Sequence, residues 1–580
     1  YMHVPMIQAL FSKVGTPMNL GRLDLVEVLD WAGDALNRVD RESFFSKFDE
    51  GEAVQYFYEP FLQAFDPKLR KELGVWYTPP EIVKYMVARV DTVLREELDI
   101  ADGLADPNVY ILDPCCGTGA YLVEVLRKID ETLKANGGDA LGGSDLKKAA
   151  MERVFGFEIL TAPFVVAHLQ LGLLLQNLGV PLVDDQERVS VYLTNALTGW
   201  EPPEEEKEVF MFPELEEEKD AAERVKRDKP ILVILGNPPY NGFAGVAIGE
   251  ERDLSNAYRT TVNVAKPEGQ GLNELYTRFF RMAERRIVEQ TGEGVICFIS
   301  NYSWLDGLSF TGMRERYLEA FDSIWIDNLH GDRIISEYSP DGKTSETVFA
   351  VQGSSVGIKI GTAIGLFTTQ KSRQQSDQAK IQYRDMHQAR AAARRDALLE
   401  TLTHSNISKL YEAVTPPLIL GLPFKPLHFD KKYSSYPLLP AIFPTSFPGV
   451  QTKVDELVID IDKDSLLQRM EQYFDPQVSH QSMEKICSGA INRASQFKPI
   501  AIREYLVKRG FLPEYLVRYS YRPFDHRWIY WEPETNLLGR KSPDYFPQVF
   551  ENNLWIEAQG YFILNKEVRV LSPKPEWRCA

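Results

Sequence analysis

Cysteine is scarce in this 580-residue sequence, with five residues at 115, 116, 297, 487 and 579. Their spacing fits no zinc module, and neighbours such as Cys115 and Cys116 rarely bridge each other, so a reducing, intracellular setting is expected. Histidine is sparse too, eight scattered residues, and no metal site is expected. Long apolar runs are missing. Nothing approaches the roughly 20 uninterrupted apolar residues of a membrane span, and the first residues show no signal-peptide pattern, so no membrane partner is expected. A surplus of positive charge is missing as well. The net charge of −18 excludes nonspecific nucleic-acid binding by the whole surface. There is no internal repeat, and no Walker loop, because Glu337 stands where the first glycine before Gly342-Lys343-Thr344 should be.

What is present is an ordinary globular composition, 44% hydrophobic and 26% charged, long enough for several domains. The start at Tyr1 and the stop at Ala580 lead us to expect a piece of a longer polypeptide. Charge is spread unevenly: residues 201–229 hold 12 acidic and 6 basic side chains, 371–411 hold 8 basic and 4 acidic, and 493–541 hold 10 basic and 5 acidic. A local basic face in the C-terminal half is one reading, and ordinary solvated helix faces are the other. The Arg394-Arg395 pair reads as such a solvated face.

Residues 1–75 read as an amphipathic helical region. Strands then alternate with helices. Apolar runs at 109–113, 154–158, 190–195, 231–236, 294–299 and 323–327 are separated by helical patterns at 82–98, 121–133, 162–178, 273–290 and 310–321. Thr78 can cap the first of these helices, with a proline in its first turn. This pattern predicts an α/β fold, a mostly parallel sheet covered by helices on both faces, with ligands at the carboxyl ends of the strands. The domains expected are a helical region over 1–75, an α/β domain over 76–370, and a less regular region over 371–580 that begins with a polar, basic, helix-prone stretch.

The special residues fall at those strand ends. Asp113 closes the first strand and leads into Pro114-Cys115-Cys116-Gly117-Thr118-Gly119, where glycines allow close approach of a ligand to the backbone. Glu158 ends the second strand, where an acid can accept from both hydroxyls of a ribose. Asn195 ends the third and can read an adenine edge. Together they describe a pocket for an adenosine-containing cofactor. Asn237-Pro238-Pro239-Tyr240 follows the strand 231–236. A planar exocyclic amino nitrogen is a poor nucleophile, and what helps it is a set of acceptors for its two N–H groups. The Asn237 side-chain oxygen and the Pro238 carbonyl can serve, the two prolines stiffen the loop, and Tyr240 offers a face for an extruded base.

With this loop in place, the order of motifs over roughly residues 50–360 resembles the S-adenosylmethionine-dependent N6-adenine DNA methyltransferases of the gamma arrangement, with their Rossmann-like domain. The resemblance implies S-adenosyl-L-methionine as cofactor and double-stranded DNA as partner. It also implies that Tyr77, Thr78 and Pro79 wrap the methionine end. Asp113 and Gly117 to Gly119, in the turn with Pro114 and Thr118, would hold the amino-acid moiety. Glu158 would bind ribose, Asn195 adenine, and the Asn237–Tyr240 loop the target base. The family's second aromatic clamp is open between Tyr338 and Phe349. A narrower resemblance, carried by 74–79, Asn328-Leu329-His330-Gly331 and Tyr521-Arg522-Pro523-Phe524-Asp525, is to the type ISP restriction–modification enzymes. It implies nuclease and translocase modules that are either absent from the parent protein or outside this sequence, a target recognition region within 371–580, and a prokaryotic cytoplasmic location. Three other readings use the same residues: a protein glutamine methyltransferase, an RNA methyltransferase, and a DNA-recognition subunit without catalysis.

Overall fold

The computed structural model describes residues 4–40, 78–137, 142–184, 187–201, 213–240, 250–350, 358–373, 378–427, 432, 435–437, 439–442, 450–492, 498–522, 525–543, 555–557 and 569–571. The chain forms two compact units, residues 1–427 and 428–580.

The first unit is built on a nine-stranded sheet: β1 (Tyr110–Asp113), β2 (Val154–Glu158), β3 (Val191–Leu193), β4 (Ile231–Gly236), β5 (Gly294–Asn301), β6 (Ser323–His330), β7 (Thr362–Thr369), β8 (Lys380–Asp385) and β9 (Glu412–Val414), in the order β3-β2-β1-β4-β5-β7-β6-β8-β9. β4 and β5 are buried at every position, which is why they read as unbroken apolar runs rather than as alternating ones. The first five strands pair in parallel. β7 runs antiparallel to both β5 and β6, and β8 is parallel to β6. The carboxyl ends of β1 to β6 and of β8 therefore share one edge of the sheet. Helices such as Pro80–Glu96, Ala120–Ala135 and Thr161–Asn177 pack their apolar sides on it. The fold is thus the expected α/β type, with a central sheet and flanking helices.

Several expectations change. The helix expected over 273–290 is an α-helix only over Leu275–Glu284 and continues with π-helical turns over Arg285–Thr291. The first compact unit does not end at 370. β8 and β9 complete its sheet, and Arg384 and Tyr411 bond to Asp327 at 2.6 and 2.9 Å, with Tyr85 on the other Asp327 oxygen at 2.7 Å. The basic stretch after 370 is drawn inward by such acceptors. Arg394, expected on a solvated face, is only 1% exposed and donates to Ser345 Oγ and the Glu346 carbonyl. The amino-terminal helices Pro5–Val14, Pro17–Arg22 and Val26–Leu36 lie in the expected helical region, whose remainder from 41 lies outside the described residues.

In the second unit, Ile459–Asp460, Asp525–Tyr530 and Leu516–Arg522 form a three-stranded antiparallel sheet. Leu466, Met470, Tyr473, Leu506, Ile529 and Tyr530 are among the residues of its core. Among the described residues, no helix is long and apolar enough to cross a membrane.

Candidate active site

Asp113 ends β1 fully buried, and its Oδ1 accepts from the Cys115 amide at 3.1 Å. The turn that follows needs glycine at 119, where φ is +92° and a Cβ would stand 3.3 Å from the Cβ of Ala167. Gly117, at φ +55°, faces open space. The Gly117 amide donates to Glu158 Oε2 at 3.0 Å, so the acid ending β2 is tied to the glycine turn. The other Glu158 oxygen accepts from the amides of Ile159 and Leu160 at 2.9 and 2.8 Å. A carboxylate has about four acceptor positions, so Glu158 retains capacity for a ligand hydroxyl.

Two buried atoms in this turn, Asp113 Oδ2 and Thr118 Oγ1, meet no hydrogen-bond partner among the described residues. Buried polar groups are normally paired, and such an orphan calls for a ligand or water. Burial raises the Asp113 carboxyl to about 7, against the opposing pull of the Cys115 amide. The Cys115 and Cys116 thiols are pushed up by burial and then by Asp113 and Glu158, which keeps them neutral. The turn therefore offers a cation two unmet oxygens beside the open space at Gly117. That fits the ammonium and sulfonium of S-adenosylmethionine.

Asn195 lies two residues beyond β3, and its Oδ1 accepts from the Leu197 amide at 2.9 Å. With that oxygen engaged in the turn, what the side chain offers a base edge is its N–H groups. The loop is gripped from beneath by Lys226, whose Nζ donates to Thr194 Oγ1, the Asn195 carbonyl and the Thr198 carbonyl at 2.8, 2.8 and 2.9 Å. The sequence reading missed this lysine, because it sits in an acidic, solvated-looking run.

β4 delivers the Asn-Pro-Pro-Tyr loop beside the Asp113 turn. A Cβ on Gly236 would lie 2.7 Å from Asp113 Oδ1, so the close approach of the two strand ends requires glycine there. Asn237 Nδ2 donates to Thr78 Oγ1 at 3.0 Å. Thr78 therefore does not cap the helix Pro80–Glu96, whose N-cap is Pro79 with Pro80 at its first position. It joins the catalytic-type loop to the segment expected to wrap the cofactor instead. Pro79, Pro114 and Pro238 are buried, and Pro239 is half-buried. Tyr77 lies outside the described residues. The Tyr240 hydroxyl donates to the Ile299 carbonyl on β5 at 3.2 Å. Its ring meets Phe349 edge-on, with centroids 6.1 Å apart, whereas Tyr338 is 65% exposed.

The backbone before Phe349 is tied down, and an ionic cluster lies at the end of β6. Arg395 donates to the Val348 carbonyl at 2.9 Å. His330, ending β6 at φ +52°, bonds through Nδ1 to Glu337 at 2.6 Å and through Nε2 to Asp385. Glu337 in turn accepts from the Gly331 and Asp332 amides at 2.8 and 2.9 Å. Burial opposes a charge on His330, but hydrogen bonds to Asp385 and Glu337 outweigh it and raise the imidazole to about 9. His330, Asp385 and His387 have ligand-type atoms within 4.8 Å of one another. An imidazolium bonded at both nitrogens has no lone pair for a metal, so the arrangement is a cation bridging two anions. Its pKa is raised above the unfolded value, so its stabilisation is complete below about 6.5 and is lost as pH rises through about 9. His330→Gln is expected to destabilise the chain at pH 6 by at most about 3 kcal/mol and by much less at pH 9.5. Urea midpoints at the two pH values check this; equal losses at both would contradict it.

In the second unit, the strand pair Leu516–Arg522 and Asp525–Tyr530 interleaves basic and aromatic side chains. Lys463 and Arg518 lie 4.7 and 5.4 Å from the Trp528 ring centroid, and Arg527 lies 4.3 Å from that of Tyr521. Pro523 and Phe524 lie outside the described residues.

Comparison with known proteins agrees with both regions. Residues 50–270 match the family model N-6 DNA Methylase, and residues 441–572 match the Type ISP C-terminal specificity domain. No curated protein matches. Among solved structures, a nuclease-deletion mutant of the type ISP restriction–modification enzyme LlaGI, in complex with a DNA substrate mimic, is 20% identical with a TM-score of 0.68, covering 99% of this chain and 47% of that one. The ATP-dependent type ISP enzyme LlaBIII bound to DNA is 20% identical with a TM-score of 0.66, covering 96% and 37%. The chain in the DrdV–DNA complex is 21% identical with a TM-score of 0.66, covering 95% and 52%. At this identity the likeness is one of fold, and the present chain spans about half or less of the length of each. The chain carries an N6-adenine DNA methyltransferase domain of the S-adenosylmethionine-dependent class, followed in sequence by a segment that matches the type ISP C-terminal specificity domain.

Proposed function

We propose that this chain methylates the N6 amino group of adenine at a specific DNA sequence, as the modification and recognition part of a restriction–modification or phage-defence enzyme of the prokaryotic cytoplasm. The observation that carries the reading is the junction of β1 and β4: the Asn237 loop leaves the sheet beside Asp113 and is bonded to Thr78 at 3.0 Å. Acceptors for an amino group thus stand next to a crevice suited to a cationic cofactor. Bound S-adenosylmethionine would supply an electrophilic methyl group on a sulfonium.

The protein's own part is positioning. Glu158 would accept from ribose, and the Asn195 side-chain amide would donate to a ring nitrogen of the cofactor's adenine. Asp113, Thr118 and the turn 117–119 would take the amino-acid end through the unmet Asp113 Oδ2 and Thr118 Oγ1, beside Tyr77, Thr78 and Pro79. A target adenine is swung out of the duplex at a cost of a few kcal/mol. Tyr240 stacks on it, fixed from behind by the Ile299 carbonyl and from the side by Phe349. The Asn237 oxygen and the Pro238 carbonyl accept the two N6 hydrogens and turn the nitrogen lone pair toward the methyl carbon. Aligning the reactants in this way supplies most of the rate. Arg518, Tyr521, Arg527 and Trp528 on the strands Leu516–Arg522 and Asp525–Tyr530 contact DNA, and any nuclease or translocase module lies outside this sequence.

The test is to incubate the protein with tritiated cofactor and mixed DNA, digest to nucleosides and identify the label. Label in N6-methyldeoxyadenosine is expected. Label in RNA or in glutamine would overturn the choice of substrate, and DNA binding without transfer would overturn catalysis. For the second aromatic, Phe349→Ala is expected to raise the KM for DNA about 2- to 10-fold, while Tyr338→Ala leaves it unchanged. The reverse pattern would move that role to Tyr338.

A further inference from the structure

We infer that Lys226 is a positioning residue for the cofactor: its ammonium holds loop 194–198 in the shape that presents Asn195 to the adenine ring. The inference rests on the reading of the crevice as the cofactor pocket.

The geometry is specific. Lys226 lies near the end of the helix Pro213–Asp228 and is only 2% exposed. An ammonium has three N–H donors and no acceptor. All three are used, on Thr194 Oγ1 and the carbonyls of Asn195 and Thr198, between 2.8 and 2.9 Å. Three bonds therefore converge on one five-residue loop from a single atom. The same Nζ lies 5.0 Å from the ring centroid of Phe157, the residue before Glu158 on β2. One cation thus joins the loop bearing Asn195 to the strand bearing the ribose acid.

Other ties on the loop are few. The Thr194 amide donates to the Glu158 carbonyl at 2.8 Å, and Trp200 Nε1 donates to the Ala196 carbonyl at 2.7 Å. The internal bond from the Thr198 amide to the Asn195 carbonyl is long, at 3.5 Å. Without Lys226 the Asn195 carbonyl would keep only that weak contact, and buried acceptors would go unmet.

Burying an ammonium without a carboxylate in contact is unfavourable unless its donors are all satisfied. The charged groups facing it are Glu223, Glu250, Arg227 and Lys219. Glu223 is paired with Arg227 at 2.8 Å, and Glu250 accepts from the Gly199 amide at 2.9 Å. The Arg286 guanidinium donates to the Lys226 carbonyl at 3.2 Å and anchors that end of the helix. Burial lowers Lys226 to about 7. Near neutral pH it therefore loses one of three donors, and the loop loses one tether.

The experiment uses S-adenosylhomocysteine as the probe, with its Kd measured by calorimetry between pH 6 and 9, beside the KM for S-adenosylmethionine and kcat in methyl transfer. In the wild type, affinity is expected to weaken on the alkaline side of about 7. Lys226→Met is expected to raise Kd and the cofactor KM about 10-fold, with kcat at saturation and the KM for DNA within about twofold. Lys226→Arg, which stays charged, is expected to keep its affinity at pH 9. A wild-type profile flat above pH 7, or a Lys226→Met protein with unchanged Kd, would overturn the inference. So would a loss confined to kcat. If Lys226→Met does not fold, the wild-type and Lys226→Arg profiles decide. Failure of the wild type to bind S-adenosylhomocysteine at all would instead sink the cofactor pocket itself.

Discussion

Asn237→Ala is expected to lower methyl transfer to DNA about 10²- to 10³-fold at saturating cofactor and DNA, while cofactor affinity changes by less than about threefold. The amino nitrogen of adenine is unreactive because its lone pair is delocalised into the ring. Holding its hydrogens in the pyramidal geometry of the transition state is worth more there than in the ground state, so the loss falls on kcat. Asn237 is well placed for that work because Nδ2 is anchored on Thr78 Oγ1 at 3.0 Å, which sets the direction of the amide plane. The loop behind it is stiffened by two prolines, and the strand before it is buried throughout. Single-turnover transfer of tritium, beside calorimetric titration with S-adenosylhomocysteine, separates the two quantities. Turnover at the wild-type rate would remove the amino-group argument. An equal fall in cofactor affinity would show that the Thr78 link matters more for the pocket than for the base.

Asp113→Asn is expected to weaken cofactor binding about 10- to 100-fold near pH 8, and to abolish the acid limb of its pH dependence. The carboxyl is buried, one oxygen is unmet, and burial sets its pKa at about 7. Below that value the group is protonated and must lose its proton to pair with an ammonium, so wild-type affinity falls as pH falls. Asparagine cannot ionise, and its profile is flat on that side. The alkaline limb attributed to Lys226 should persist in this variant, which separates the two groups. The stability of the ligand-free protein should move the other way. A carboxyl with a raised pKa stabilises the fold most when protonated, and that contribution is lost as pH rises through about 7. Asp113→Asn should thus melt no lower than the wild type above pH 7. A variant that binds S-adenosylhomocysteine as tightly as the wild type at pH 8 would place the amino-acid end elsewhere.

Much of the α/β core was legible because both-face-buried strands read as unbroken apolar runs: β4 was found at 231–236 with no error. β7 was not, since Thr362–Thr369 pairs antiparallel between two strands that precede it in the chain, and nothing local announces such an insertion. β8 and β9, beyond 370, were missed for a related reason. Arginines 384 and 394 look like solvent-facing charge until their acceptors are known, and those acceptors come from Asp327 and from residues 345–346, about 50 positions earlier.

Residue chemistry at the strand ends was within reach of sequence, because acids, amides, glycines and prolines have properties that depend on themselves and their immediate neighbours. The pairing of those residues was not. Thr78 reads as a helix cap and serves Asn237, 159 positions away. Lys226 reads as part of an acidic solvated run and grips the turn of Asn195. Phe349, rather than Tyr338, stands against Tyr240. Each of these depends on which strand ends lie side by side, and strand order is a property of the whole folded sheet. Sequence alone determined which groups at the strand ends have the chemistry proposed for a reluctant nitrogen and a cationic donor; only the tertiary structure decided which partners aim them, because contact across 159 residues leaves no mark on the local pattern.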